Sequence, residues 1–110
     1  MTKKEKEYYT SLINELRKLP TETEWVEFKE NNDAPYVIGE YLSALSNAAA
    51  LHEQETAYLF YGINDETHEI VGTSFRYRET KVGNEELENW LITQSTPRID
   101  FKFVEVDTVE

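Results

Sequence analysis

Residues 56–63 read Thr-Ala-Tyr-Leu-Phe-Tyr-Gly-Ile, a strand-length run that is apolar on both faces. Side chains alternate across a strand, so such a run needs cover from above and below and belongs in the middle of a sheet. The rest of the chain must therefore supply two layers.

Three segments carry helical spacing. Tyr8, Tyr9, Leu12, Ile13, Leu16 and Leu19 share one face of a helix over 3–19, which Pro20 stops. A second helix runs to Leu51, with Asp33 as its cap and Pro35 in its first turn. Its expected buried positions are Tyr36, Val37, Tyr41, Leu42, Leu45 and Ala49, and its small residues (Ser43, Ala44, Ser46, Ala48, Ala50) permit close packing on a sheet. A third starts at Gly83-Asn84-Glu85-Glu86 with Asn84 as cap, presents Leu87, Trp90 and Leu91, and ends at Pro97. Strands are expected over 24–30, 56–63, 68–73 and 99–106, the middle two forming a hairpin around Asn64-Asp65-Glu66-Thr67. The order α-β-α-β-β-α-β predicts an α+β domain, a mixed sheet of about four or more strands packed with three helices.

Composition narrows the function. The chain of 110 residues carries 22 acidic against 11 basic residues, a net charge of −11, and its long-range field repels nucleic acid. A local basic patch still acts within a Debye length of about 10 Å. Lys3, Lys4 and Lys6 read as a solvated helix end, whereas Arg76, Arg78 and Lys81 are the better candidate patch. Zero cysteines exclude a disulfide framework and a thiolate zinc site and suit a cytoplasmic domain. No apolar run approaches the roughly 20 residues that span a bilayer, so no membrane partner is expected. No nucleophile elbow or glycine-rich phosphate loop is present, and His52 and His68 lie in polar contexts where exposed imidazoles are ordinary.

Residues 22–29 read Glu-Thr-Glu-Trp-Val-Glu-Phe-Lys. A strand here puts Val26 and Phe28 on one face and Trp25, Glu27 and Lys29 on the other. The charged face is a solvated surface, a salt-bridged strand, or the floor of a metal or nucleic-acid site. Glu22, Glu27 and Asp65 are candidate ligands for a divalent cation, since hard cations take oxygen donors from several segments. Against that stands the abundance of acids, which brings some carboxylates together by chance.

Four ordered segments carry a family resemblance: Glu22 to Lys29, Tyr41-Leu-Ser-Ala-Leu-Ser-Asn47-Ala, Tyr58-Leu-Phe-Tyr-Gly62-Ile-Asn-Asp65, and Ile70-Val-Gly72-Thr73. Together they resemble the Schlafen AlbA-like domain from about Thr21 to Asp107, which divides the chain into an N-terminal helix over 1–20 and an AlbA-like domain over 21–110. The resemblance implies DNA binding, and a place at the N-terminus of bacterial transcriptional regulators, ATP-binding proteins or RecG-related helicases. It therefore implies an excised domain whose further partners are C-terminal domains beyond Glu110. In animal Schlafen proteins a related core cleaves RNA with two glutamates and an aspartate, which match Glu22, Glu27 and Asp65. Two departures stand out: the family's Gly-Gly pair after the second helix is replaced by Ala48-Ala49-Ala50-Leu51, and the animal zinc cysteines are missing.

Three readings follow. The first is a DNA- or RNA-binding module in which Lys29, Arg76, Arg78, Lys81 and Arg98 contact phosphates beside Asn47 and Thr73. The second is a nuclease in which Glu22, Glu27 and Asp65 hold Mg²⁺ or Mn²⁺ and Lys29 steadies the scissile phosphate. The third is an acidic protein-interaction or sensing domain with a protein partner, a homodimer included.

Overall fold

The computed structural model describes residues 1–19, 23–94 and 99–107. Helix α1 (Lys3–Arg17) opens with a capping box, in which the Glu5 N–H donates to Thr2 Oγ1 (3.1 Å) and the Thr2 N–H donates to Glu5 Oε1 (3.2 Å). It ends two residues earlier than its apolar stripe suggests. The N–H groups of Lys18 and Leu19 turn back onto the carbonyls of Glu15 and Leu16, both at 3.2 Å, tightening the last turn. Pro20, the expected stop, lies outside the described residues, as do Glu22, Pro97 and Arg98.

Strand β1 (Val26–Lys29) pairs in parallel with β2 (Tyr58–Tyr61), in a register that sets Glu27 opposite Leu59 and Lys29 opposite Tyr61. Parallel pairing needs a long crossover, here helix α2 (Pro35–Leu51). Pro35 sits at its first position, but the cap is Ala34, without a side-chain bond, rather than Asp33. The fixed φ of proline sets the first turn without help from a capping oxygen. Tyr36, expected to be buried, points outward at 66% exposure, and Ile38, which is not among the expected positions, is buried in the core.

The two faces of the strand pair are covered by separate clusters. On one face Val26, Phe28 and Ile63 are buried, with Ile13 and Leu16 of α1 and the rings of Trp25, Tyr58 and Phe60 packed against them. Phe28 stacks on Phe60 at 5.6 Å between centroids. On the other, Ile38 of α2 is buried with Leu87 and Leu91 of helix α3 (Leu87–Gln94), and Tyr61, Phe75, Tyr77, Phe101 and Phe103 pack around them. The two layers demanded by the apolar strand are thus α1 and the α2–α3 pair. Full burial of a side chain such as Phe28 contributes roughly 2–3 kcal/mol.

Four expectations change. Among the described residues the strands form two separate two-stranded units, the β1–β2 pair and an antiparallel pair, in place of one sheet of four or more. The second unit, β3 (Lys81–Val82) with β4 (Glu85–Glu86), occupies the expected helix start: Gly83 takes φ +63°, and Gly83-Asn84 makes a two-residue hairpin turn. The Thr80 carbonyl then accepts from the Leu87 N–H at 3.1 Å, so α3 begins at Leu87 rather than at a cap on Asn84. The hairpin expected over 56–73 shrinks to β2 and a single Ile63–Ile70 bridge. Its ladder breaks at Gly62 (φ +97°), whose one carbonyl accepts from both Val71 (2.8 Å) and Gly72 (3.0 Å), as at a bulge. A Cβ there would sit 3.1 Å from the Gly72 carbonyl carbon.

Residues 99–107 keep the alternation of the expected final strand without its ladder. Phe101 and Phe103 face the aromatic cluster, while the ammonium of Lys102 lies 5.7 Å from the Tyr9 ring of α1. No helix among the described residues is long and apolar enough to cross a membrane.

Candidate nucleic-acid interface

The face of β1 turned toward α2 carries both Glu27 and Lys29. Two residues apart on a strand, they point the same way, and the Lys29 Nζ lies 3.2 Å from Glu27 Oε1. Their side chains are only 24% and 26% exposed, and Tyr41 of α2 covers the ammonium with its ring centroid 5.5 Å away. Burial pulls the Lys29 pKa down, but the bond to Glu27 and the neighbouring Tyr41 outweigh it, so the net shift is upward from 10.5. Of the three possibilities for this strand, the geometry is that of a salt-bridged one. Trp25 lies in the turn before β1 and packs toward Val26 and the ring of His52 (5.2 Å), away from the Glu27 pair.

Asp65 is exposed in the turn that follows β2. That turn is built by its neighbour: Asn64 Oδ1 accepts from the N–H groups of Glu66 and Thr67, both at 2.9 Å, and Asn64 Nδ2 donates to Glu30 Oε2 at 3.1 Å. Glu22 falls outside the described residues. Among those described, no three His, Cys, Asp or Glu side chains come together as a metal set. A cation at Glu27 would share the carboxylate with the ammonium of Lys29, which already holds Oε1.

The loop after β1 links several parts of the molecule. Asn31 Oδ1 accepts from the Thr73 hydroxyl at 2.6 Å and from the Ser74 N–H at 3.3 Å. Asn32 donates to the Tyr41 hydroxyl (3.2 Å), and its carbonyl accepts from Tyr61 Oη at 2.7 Å. Burial holds the Tyr61 phenol well above its ordinary range, with Tyr41 and the Asp33 carboxylate adding to the effect. Thr73 is thereby tied down, and so is the start of the basic segment 73–81.

Within that segment Arg76 Nη1 donates to the carbonyls of Thr73 and Phe75, both at 2.8 Å. The Thr80 hydroxyl donates to the Arg76 carbonyl at 2.8 Å, closing the short 3-10 turn Tyr77–Glu79. Arg78 and Lys81 are exposed, and the Arg78 guanidinium carbon lies 5.3 Å from the Tyr77 ring centroid. Thr73, Arg76, Arg78 and Lys81 thus belong to one ordered stretch. Lys29 is committed to Glu27, Asn47 is exposed on α2, and Arg98 lies outside the described residues.

The histidines differ from each other. His52 is exposed, as its context suggests, and pairs with Glu24. His68 is buried, against the expectation, with its ring 4.5 Å from Phe28. It adopts φ +60°, its carbonyl accepts from Arg17 Nε at 2.6 Å, and its Nδ1 meets the Arg17 carbonyl at 3.1 Å, which makes Nδ1 the protonated nitrogen. This clasp joins the end of α1 to the loop after β2. Arg17 and Asn31 carry no motif, and the sequence marks Asn64 as a turn residue without its bond to Glu30.

Fold and surface define a small α+β domain with a parallel strand pair between helical layers and an ordered basic segment beside it. The sequence model of the family described as "Schlafen, AlbA_2" matches residues 22–110, and the chain belongs to that nucleic-acid-related family. No curated protein and no solved structure matches it.

Proposed function

We propose that this chain is a nucleic-acid-binding domain, and that segment 73–81 is its contact surface, with Arg76, Arg78 and Lys81 meeting phosphates. The observation that carries the reading is the ordering of these exposed cations on a short stretch pinned by Asn31, Thr73 and Thr80. Family membership supports it, and we further propose that the domain belongs to a bacterial transcriptional regulator or RecG-related helicase-like protein, the setting that the resemblance implies. The net charge of −11 works against phosphate everywhere else on the surface, so binding is weak and steeply salt-dependent.

Cleavage with Mg²⁺ or Mn²⁺ has less support. It needs Glu27 as a ligand, and Glu27 is paired with Lys29.

Titration of fluorescein-labelled DNA and RNA oligonucleotides in about 50 mM salt tests the proposal. Saturable binding is expected, weakened at least tenfold by the joint reversal Arg76→Glu and Arg78→Glu. No binding at high micromolar protein, or equal binding by the reversed variant, overturns it.

A further inference from the structure

Arg78 is carried on an aromatic column. Its guanidinium lies over the Tyr77 ring, and Tyr77 stacks on Phe103 with centroids 4.9 Å apart and planes within 14°. Phe103 meets Phe101 and Phe75 edge-on, at 5.7 Å and 6.1 Å, and Phe75 meets Tyr61 at 5.0 Å. The column starts in the cluster around Ile38, Leu87 and Leu91 and ends at an exposed planar cation.

A guanidinium meant only to meet phosphate does not need such a mount, since a point charge on a flexible stem serves. Guanidinium is planar and weakly hydrated, and it stacks readily on π-systems, nucleobases included. A base offers its π-face to a side chain only when it is unpaired and splayed out. Charge favours the same ligand. Duplex DNA carries one phosphate per about 1.7 Å of axis, so the acidic chain repels it more strongly than a single strand. Stacking, by contrast, incurs no penalty from the net charge.

We infer that Arg78, held on Tyr77, is a base-stacking platform and that the interface takes single-stranded nucleic acid in preference to duplex. This rests on the nucleic-acid reading above. One base lies on the guanidinium, and the adjoining phosphates meet Arg76 and Lys81.

Fluorescence anisotropy with four labelled probes tests the inference: a mixed-sequence DNA strand, the RNA of the same sequence, the DNA annealed to its complement, and an abasic strand of equal phosphate number. Both base-bearing single strands are expected to bind about tenfold more tightly than the abasic strand, and more tightly than the duplex. A preference for either sugar identifies the source and supports the inference equally. Arg78→Lys keeps the charge and the thermal unfolding curve but loses most of that tenfold margin, with an unchanged salt slope. Equal affinity for abasic and base-bearing strands, a duplex bound as tightly, or full retention of the margin by Arg78→Lys overturns the inference and leaves phosphate binding standing. Binding of none of the probes overturns both readings.

Discussion

Lys29 and Arg78 are both cations set over a tyrosine ring, at 5.5 Å and 5.3 Å, yet the fold uses them in opposite ways. Lys29 lies beneath α2 with Glu27 3.2 Å away, so its charge is answered inside the molecule. Arg78 stands on a short turn at the surface, and the ion pairs of the described residues (Lys18–Glu15, Lys29–Glu27 and His52–Glu24) do not include it. Residue type does not separate a structural cation from a displayed one. What separates them is the partner that the fold sets beside each one, a carboxylate for Lys29 and an aromatic column for Arg78.

The largest expected effect is on the buried side. Phe28 is fully buried between Phe60 and His68, so Phe28→Ala should cost about 3–5 kcal/mol in urea unfolding. A loss below about 1 kcal/mol would mean that this face is loosely packed. Next comes the pair itself. Glu27→Gln leaves a three-quarters-buried ammonium without its carboxylate and should cost about 1–3 kcal/mol. The double change Glu27→Gln with Lys29→Met should recover most of that loss, because no charge is stranded.

On the display side Gly83→Ala should cost about 1 kcal/mol, because φ +63° suits glycine and the hairpin carries Lys81. The alkaline limb of stability gives a smaller effect. The folded Lys29 pKa is raised above 10.5, so its contribution is complete below that pH and is lost as the pH climbs through the folded value. Glu27→Gln should flatten that limb, and a limb that persists in the variant belongs to another group. Arg78→Ala should change stability by no more than about 0.5 kcal/mol.

Much of the covered side was legible from local pattern. The alternation Val26–Phe28 against Glu27–Lys29, the end of α2 at Leu51, and the stripe Leu87–Trp90–Leu91 all appear as expected, since each depends on spacing within one element. The display side depended on distant partners. Gly83-Asn84-Glu85-Glu86 suits a helix start and a tight turn equally, and the choice falls to the pairing of Lys81 with Glu86 and the bond from Leu87 to Thr80. His68 sits in a polar stretch, and its burial follows from Arg17, 51 residues away. The hold of Asn31 on Thr73 spans 42 residues and leaves no local trace. Family membership was readable from four ordered segments, whereas the ion pair that occupies Glu27 was one of three open alternatives until the strand was placed under α2.

The contrast between the two cations is tested most directly by the salt dependence of oligonucleotide binding. Each phosphate contact on a single strand adds about 0.7 to the slope of log affinity against log salt. Three proteins suffice: wild type, the triple variant Arg76→Ala, Arg78→Ala, Lys81→Ala, and the charge-neutral double variant Glu27→Gln, Lys29→Met. The account predicts that the triple variant loses about 1.4 units of slope if Arg78 stacks on a base and about 2 if it also meets a phosphate, while the double variant keeps the wild-type slope. A full slope in the triple variant, or a loss of slope in the double variant, would contradict it.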